Sequence, residues 1–98
     1  MDIVPITIWR EARGEGQIGM LAVAWVMHNR ATDFKKRWPT DTEKVCLERK
    51  QFSCWNDTDV NRDIYPTPTD PEYQEAQKIW YLFASYIYLG LPFRLLQD

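Results

Sequence analysis

The apolar positions of this chain fall into three helical blocks joined by polar, glycine-rich or proline-rich stretches. Ile3 to Arg13 predicts a first helix, with Ile6, Trp9 and Arg13 at spacings of three and four and Ile8 and Ala12 alongside. Pro5 suits it only in the first turn, where no amide donor is needed. Gly14 or Gly16 supplies the stop, because glycine accepts the left-handed conformation common just past a helix end. Gln17 to Asp33 predicts a second helix. Ile18, Leu21, Ala22, Trp25, Val26 and Asn29 form its stripe. Met20, Val23, Ala24 and Met27 widen it, so burial on more than one side is expected.

The middle of the chain is less regular. Asp33 to Pro39 reads as a basic, aromatic loop. "TDTE", Thr40 to Glu43, fits a capping box and predicts a short helical turn carrying Val45 and Leu47. "QFSCW", Gln51 to Trp55, reads as a strand with Phe52 and Cys54 on one side. Asn56 to Thr69 is turn-rich, with Pro66 and Pro68. The clearest helix follows, from Asp70 to Gly90. Asp70 caps it, Pro71 takes the first helical position, Glu72 favours the positive end and Gly90 stops it. Tyr73, Ala76, Gln77, Trp80, Phe83, Ala84, Ile87 and Tyr88 mark its face. Three main helices and a short irregular β/loop region predict an α+β domain that is mostly α-helical.

Length holds this to one small domain, residues 1–98. The net charge of -2 argues against a dedicated nucleic-acid binder, which carries a basic patch. Lys35, Lys36 and Arg37 read as a solvated loop. No apolar run reaches the roughly 18–20 residues needed to span a bilayer. The opening "MDIVPITIW" lacks the basic region of a secretory signal. Five Trp and five Tyr make a high aromatic share, which fits a packed core and equally a groove that is half apolar and half wet. No cofactor is called for. Cys46, Cys54 and His28 match no zinc spacing, so no metal site is expected; two buried thiols are favoured, with a disulfide as the alternative.

The candidate chemistry lies in "TIWREARGEGQIG", Thr7 to Gly19. Glu11 falls in the last turn of the first helix, where the carbonyl end carries partial negative charge. That end disfavours an ionised carboxylate, and Glu15 acts in the same sense if charged. Such conditions suit a general acid. Arg10 and Arg13 oppose this if they point at Glu11. The alternative reading makes Glu11 and Glu15 surface charges paired with cations. His28 is a helix residue with no legible serine and acid to complete a set. A thiol enzyme built on Cys54 and His28 has no supporting spacing.

"IWREARGEGQIGMLAVAWVMHNR", Ile8 to Arg30, resembles the opening of the cell-wall hydrolase family of spore cortex-lytic enzymes, the SleB type. "VCLERKQFSCWND", Val45 to Asp57, is similar to the family's "QF" segment in the same order, and Asp70 to Gly90 to its next helix. The resemblance implies a lysozyme-like domain that cleaves peptidoglycan glycan strands between N-acetylmuramic acid and N-acetylglucosamine, by lytic transglycosylation or muramidase-type hydrolysis. It makes Glu11 the single catalytic acid and base and Glu15 a lesser candidate. It puts Gln51, Phe52 and Ser53 by the groove and Trp55 as a sugar-stacking wall. The expected site of action is the cell wall, with a phage lysin held in the cytoplasm until release as one route. Oligomeric state is not legible. Two departures stand out. Arg10 takes a position that is often glycine in the family. The family continues past a point near Asp98 with a segment that completes the site, so reduced or absent lysis is expected of this chain. The competing readings are a non-catalytic peptidoglycan-binding remnant and a Cys-dependent peptidase.

Overall fold

The structure is a computed structural model that describes residues 3–32, 41–47, 55 and 64–90. Four helices occur in order: α1 (Ile3–Ala12), α2 (Gly16–Ala31), α3 (Thr42–Leu47) and α4 (Pro71–Leu89). Among the described residues every regular element is a helix, so the fold is mostly helical. The strand expected at Gln51 to Trp55 lies outside them except for Trp55. No described helix is long and apolar enough to cross a membrane.

α1 is the central element, packed against α2, α3 and α4. Its composition is poor for a helix, with β-branched Ile3, Val4, Ile6, Thr7 and Ile8 in one short run. Burial offsets that: Val4 through Arg10 and Ala12 are all buried. A helix apolar all round is stable only inside a shell of neighbours. The expected single face of Ile6, Trp9 and Arg13 therefore understates it. The helix also ends one residue early, leaving Arg13 in the turn.

Three residues separate α1 from α2. Gly14 (φ 85°) and Gly16 (φ 76°) both adopt the left-handed conformation. The Glu15 amide donates to the Ala12 carbonyl at 3.0 Å. This short turn folds α2 back onto α1.

The buried face of α2 is Met20, Ala24, Met27 and Ala31. That corrects the stripe read from periodicity. Ile18 (66% exposed), Ala22, Val26 and Asn29 face outward, Trp25 is partly exposed with its ring packed edge-on to Phe83 of α4, and Leu21 is half-buried. Apolar residues occur all round this helix, so spacing alone selects no face. Small alanines and adaptable methionines give the side that lets neighbouring helices approach closely.

α3 is capped by Asp41, whose Oδ1 accepts from the Lys44 amide at 3.2 Å. Thr40, the expected cap, lies outside the described residues. Val45 and Cys46 are buried, whereas Leu47 is exposed. α4 follows its sequence signals at both ends. Asp70 Oδ1 accepts from the amides of Glu72 (2.9 Å) and Tyr73 (3.1 Å). Gly90 is left-handed (φ 67°), and its amide donates back to the Ser85 and Tyr86 carbonyls. Tyr73, Ala76, Ile79 and Phe83 are buried, with Trp80 and Ile87 against the core. Gln77 and Tyr88, expected on that face, are exposed.

Candidate active site

Glu11 is the penultimate residue of α1, as its sequence position predicts. Its side chain is half-buried, and Oε1 is buried with no hydrogen-bond partner among the described residues. A buried polar atom without a partner is costly, so such atoms mark places where a ligand or another group belongs.

The two flanking arginines are held by aromatic rings. Arg13 lies over the Trp9 ring, with Cζ 4.4 Å from the centroid. Arg10 is buried, and its Nε donates to the Ile64 carbonyl at 2.9 Å. Its Cζ stands 4.2 Å from the Trp55 ring and 4.5 Å from the Tyr65 ring. A desolvated guanidinium over two rings is a strong cation–π arrangement, worth up to about 2 kcal/mol per contact.

One helical turn earlier, Thr7 shares this side of α1. Its Oγ1 donates to the Ile3 carbonyl at 2.8 Å and accepts from Trp55 Nε1 at 2.7 Å. Thr7 and Arg10 together hold Trp55 to the helix that carries Glu11. One face of the expected sugar-stacking wall is thus covered by Arg10. Gln51, Phe52 and Ser53 lie outside the described residues.

Glu15 is not a helical neighbour of Glu11. The left-handed glycines put it in a separate element, as the residue preceding α2, with no side-chain capping bond. Its side chain folds over Gly19. A Cβ at position 19 would lie 2.7 Å from Glu15 Cβ and 2.9 Å from Oε2.

Cys46 is a free, buried thiol. Burial pushes its pKa up to about 12; a hydrogen bond with Thr7 opposes this, and the charges of Glu43 and Asp41 add to it. It is therefore a packing residue at neutral pH. Cys54 is outside the described residues. His28 packs edge-on to Trp25 (5.9 Å) and Phe83 (5.7 Å), inside an aromatic cluster between α2 and α4. Among the described residues no three His, Cys, Asp or Glu side chains gather as a metal site would require.

Cavity size does not select the site. One groove among the described residues, about 500 Å³, is lined by Gln74, Gln77, Lys78, Tyr81 and Leu82. Another, about 350 Å³, is lined by Val4, Asp41, Thr42, Glu43, Trp80 and Tyr88, and a third, about 300 Å³, by Leu21, Trp25, Phe83 and Tyr86. Glu11 lines none of the three. Sequence reasoning missed Thr7, Tyr65 and the inward course of Arg10. The available signal was an arginine in an otherwise apolar helix, because a buried cation must find partners.

The model of the cell wall hydrolase family matches residues 14–84, and the chain belongs to that family. The kind of activity that goes with it is enzymatic breakdown of the cell wall, whose polymer is peptidoglycan. The matched segment contains Glu15 and begins three residues after Glu11. No curated protein and no solved structure matches the chain.

Proposed function

We propose that this chain cleaves the bond between N-acetylmuramic acid and N-acetylglucosamine in peptidoglycan, with Glu11 as its single acid and base on a lysozyme-like helical scaffold. The observation that carries the reading is the buried Oε1 of Glu11, which has no described hydrogen-bond partner at the end of the central helix. A glycosidic oxygen is a partner of the right chemistry. Protonated Glu11 gives its proton to that oxygen as the C–O bond breaks. The resulting carboxylate takes the proton of the muramic acid 6-hydroxyl, whose oxygen attacks the anomeric carbon. The product is a 1,6-anhydro sugar, and Glu11 regains its proton. One carboxylate suffices for this cycle, whereas two-acid glycosidases need a pair at a set separation. Gln51, Phe52, Ser53 and Trp55 line the sugar path in this reading, and Glu15 supports the turn.

Glu11→Gln keeps the shape and removes the transferable proton. Lysis of purified sacculi should fall by about 100-fold or more. Mass spectrometry of the wild-type digest should show anhydro ends; reducing ends without them would replace transglycosylation by hydrolysis. Lysis that survives Glu11→Gln and is lost in Glu15→Gln would move the acid to Glu15.

That Glu11 lines none of the described grooves favours a second reading, binding without cleavage. Under it, wild-type protein sediments with sacculi and releases no muropeptide.

A further inference from the structure

Tyr65 is 56% exposed although one face of its ring rests on the Arg10 guanidinium. Its exposure therefore falls on the opposite face and the edge. Arg10 in turn is held by contacts that include the Ile64 carbonyl, the Trp55 ring and the Tyr65 ring itself. A lone surface tyrosine turns freely about its side-chain bonds. This one is braced from beneath by a planar, buried cation whose own position is set.

We infer that Tyr65 is a sugar-stacking platform of the glycan site and that Arg10 is the residue positioning it. The inference rests on the peptidoglycan reading above. Pyranose rings present C–H faces that pack on flat aromatic surfaces, and a phenol adds a polar edge for the ring hydroxyls. A ring braced before binding loses less freedom when the ligand arrives, which favours affinity. The location also fits. Arg10 and Glu11 are consecutive in the last turn of α1, about 100° apart around the helix axis, so the residue that braces Tyr65 adjoins the acid. Trp55, the other ring on Arg10, is half-buried and hydrogen-bonded to Thr7. Of the two rings on Arg10, Tyr65 is the more exposed and so offers the larger free surface to a ligand.

The test is co-sedimentation of the 98-residue chain with purified peptidoglycan sacculi, with the thermal midpoint of each variant measured in parallel. Tyr65→Ala should weaken binding by about 3- to 10-fold. Tyr65→Trp should restore it, because any flat ring serves. Tyr65→Leu keeps the bulk and loses the flat face. It loses the Arg10 contact as Tyr65→Ala does, and should bind as weakly as Tyr65→Ala at a temperature well below both measured midpoints, where each variant is folded, which separates a binding role from loss of the fold. Arg10→Lys keeps the charge without the planar stack and should weaken binding in the same direction. If the wild type binds and Tyr65→Leu binds equally well, the platform is refuted and the peptidoglycan reading stands. If the wild type does not sediment with sacculi at all, both fall together.

Discussion

Trp55 donates its indole N–H to Thr7 Oγ1 at 2.7 Å, joining positions 48 residues apart. This bond fastens the middle of the chain to the central helix. Thr7→Val removes the acceptor at nearly constant volume and leaves the indole unpaired. It should cost about 1–3 kcal/mol in urea unfolding. Thr7→Ser keeps the hydroxyl and should cost less. Equal stability of Thr7→Val and wild type would show that the bond carries no net energy.

Gly19 tests whether space or propensity decides the first turns of α2. Helix propensity alone favours Gly→Ala by about 1 kcal/mol. The Glu15 Cβ only 2.7 Å from the added methyl predicts the reverse, since a Cβ cannot swing aside as a side-chain tip can. Gly19→Ala should therefore destabilise the protein. The double variant Gly19→Ala with Glu15→Gly should recover stability. A stabilising single change would show that Glu15 yields easily.

Cys46 should leave a signature at alkaline pH. Its folded pKa is raised from 9.0 to about 12 by burial. The folded state then holds the proton more tightly than the unfolded chain does. The stability this supplies is complete below pH 9 and is lost as pH rises toward 12, at up to about 1.4 kcal/mol per pH unit. Cys46→Ala should flatten the decline in unfolding free energy between those limits, whatever its constant cost in packing. Native protein at pH 7.5 should also leave Cys46 unmodified by iodoacetamide, and urea should expose it.

Asp70 anchors α4 through two amide hydrogen bonds. Asp70→Ala should cost about 1 kcal/mol by thermal or urea unfolding, and Asp70→Asn less, because asparagine caps nearly as well. No difference between Ala and Asn would mean the cap bonds are replaced by water at no cost.

Local chemistry determined both ends of α4 and the break between α1 and α2. Asp70, Pro71 and Gly90 bound α4 because capping and left-handed glycine act on adjacent backbone groups. Gly14 breaks the helix between the two glutamates and Gly16 turns the chain just after Glu15, for the same reason, so the helical spacing of Glu11 and Glu15 was only apparent. Tertiary structure decided which faces are buried and where the charged side chains run. α2 is apolar around its circumference, so its partners chose the Met20, Ala24, Met27 and Ala31 side over the one carrying Ile18 and Trp25. Arg10 sits beside Glu11 in sequence, yet its course was set by two rings and a carbonyl from residues far along the chain. A long cation among apolar neighbours goes where partners exist, and only the fold brings those partners to one place.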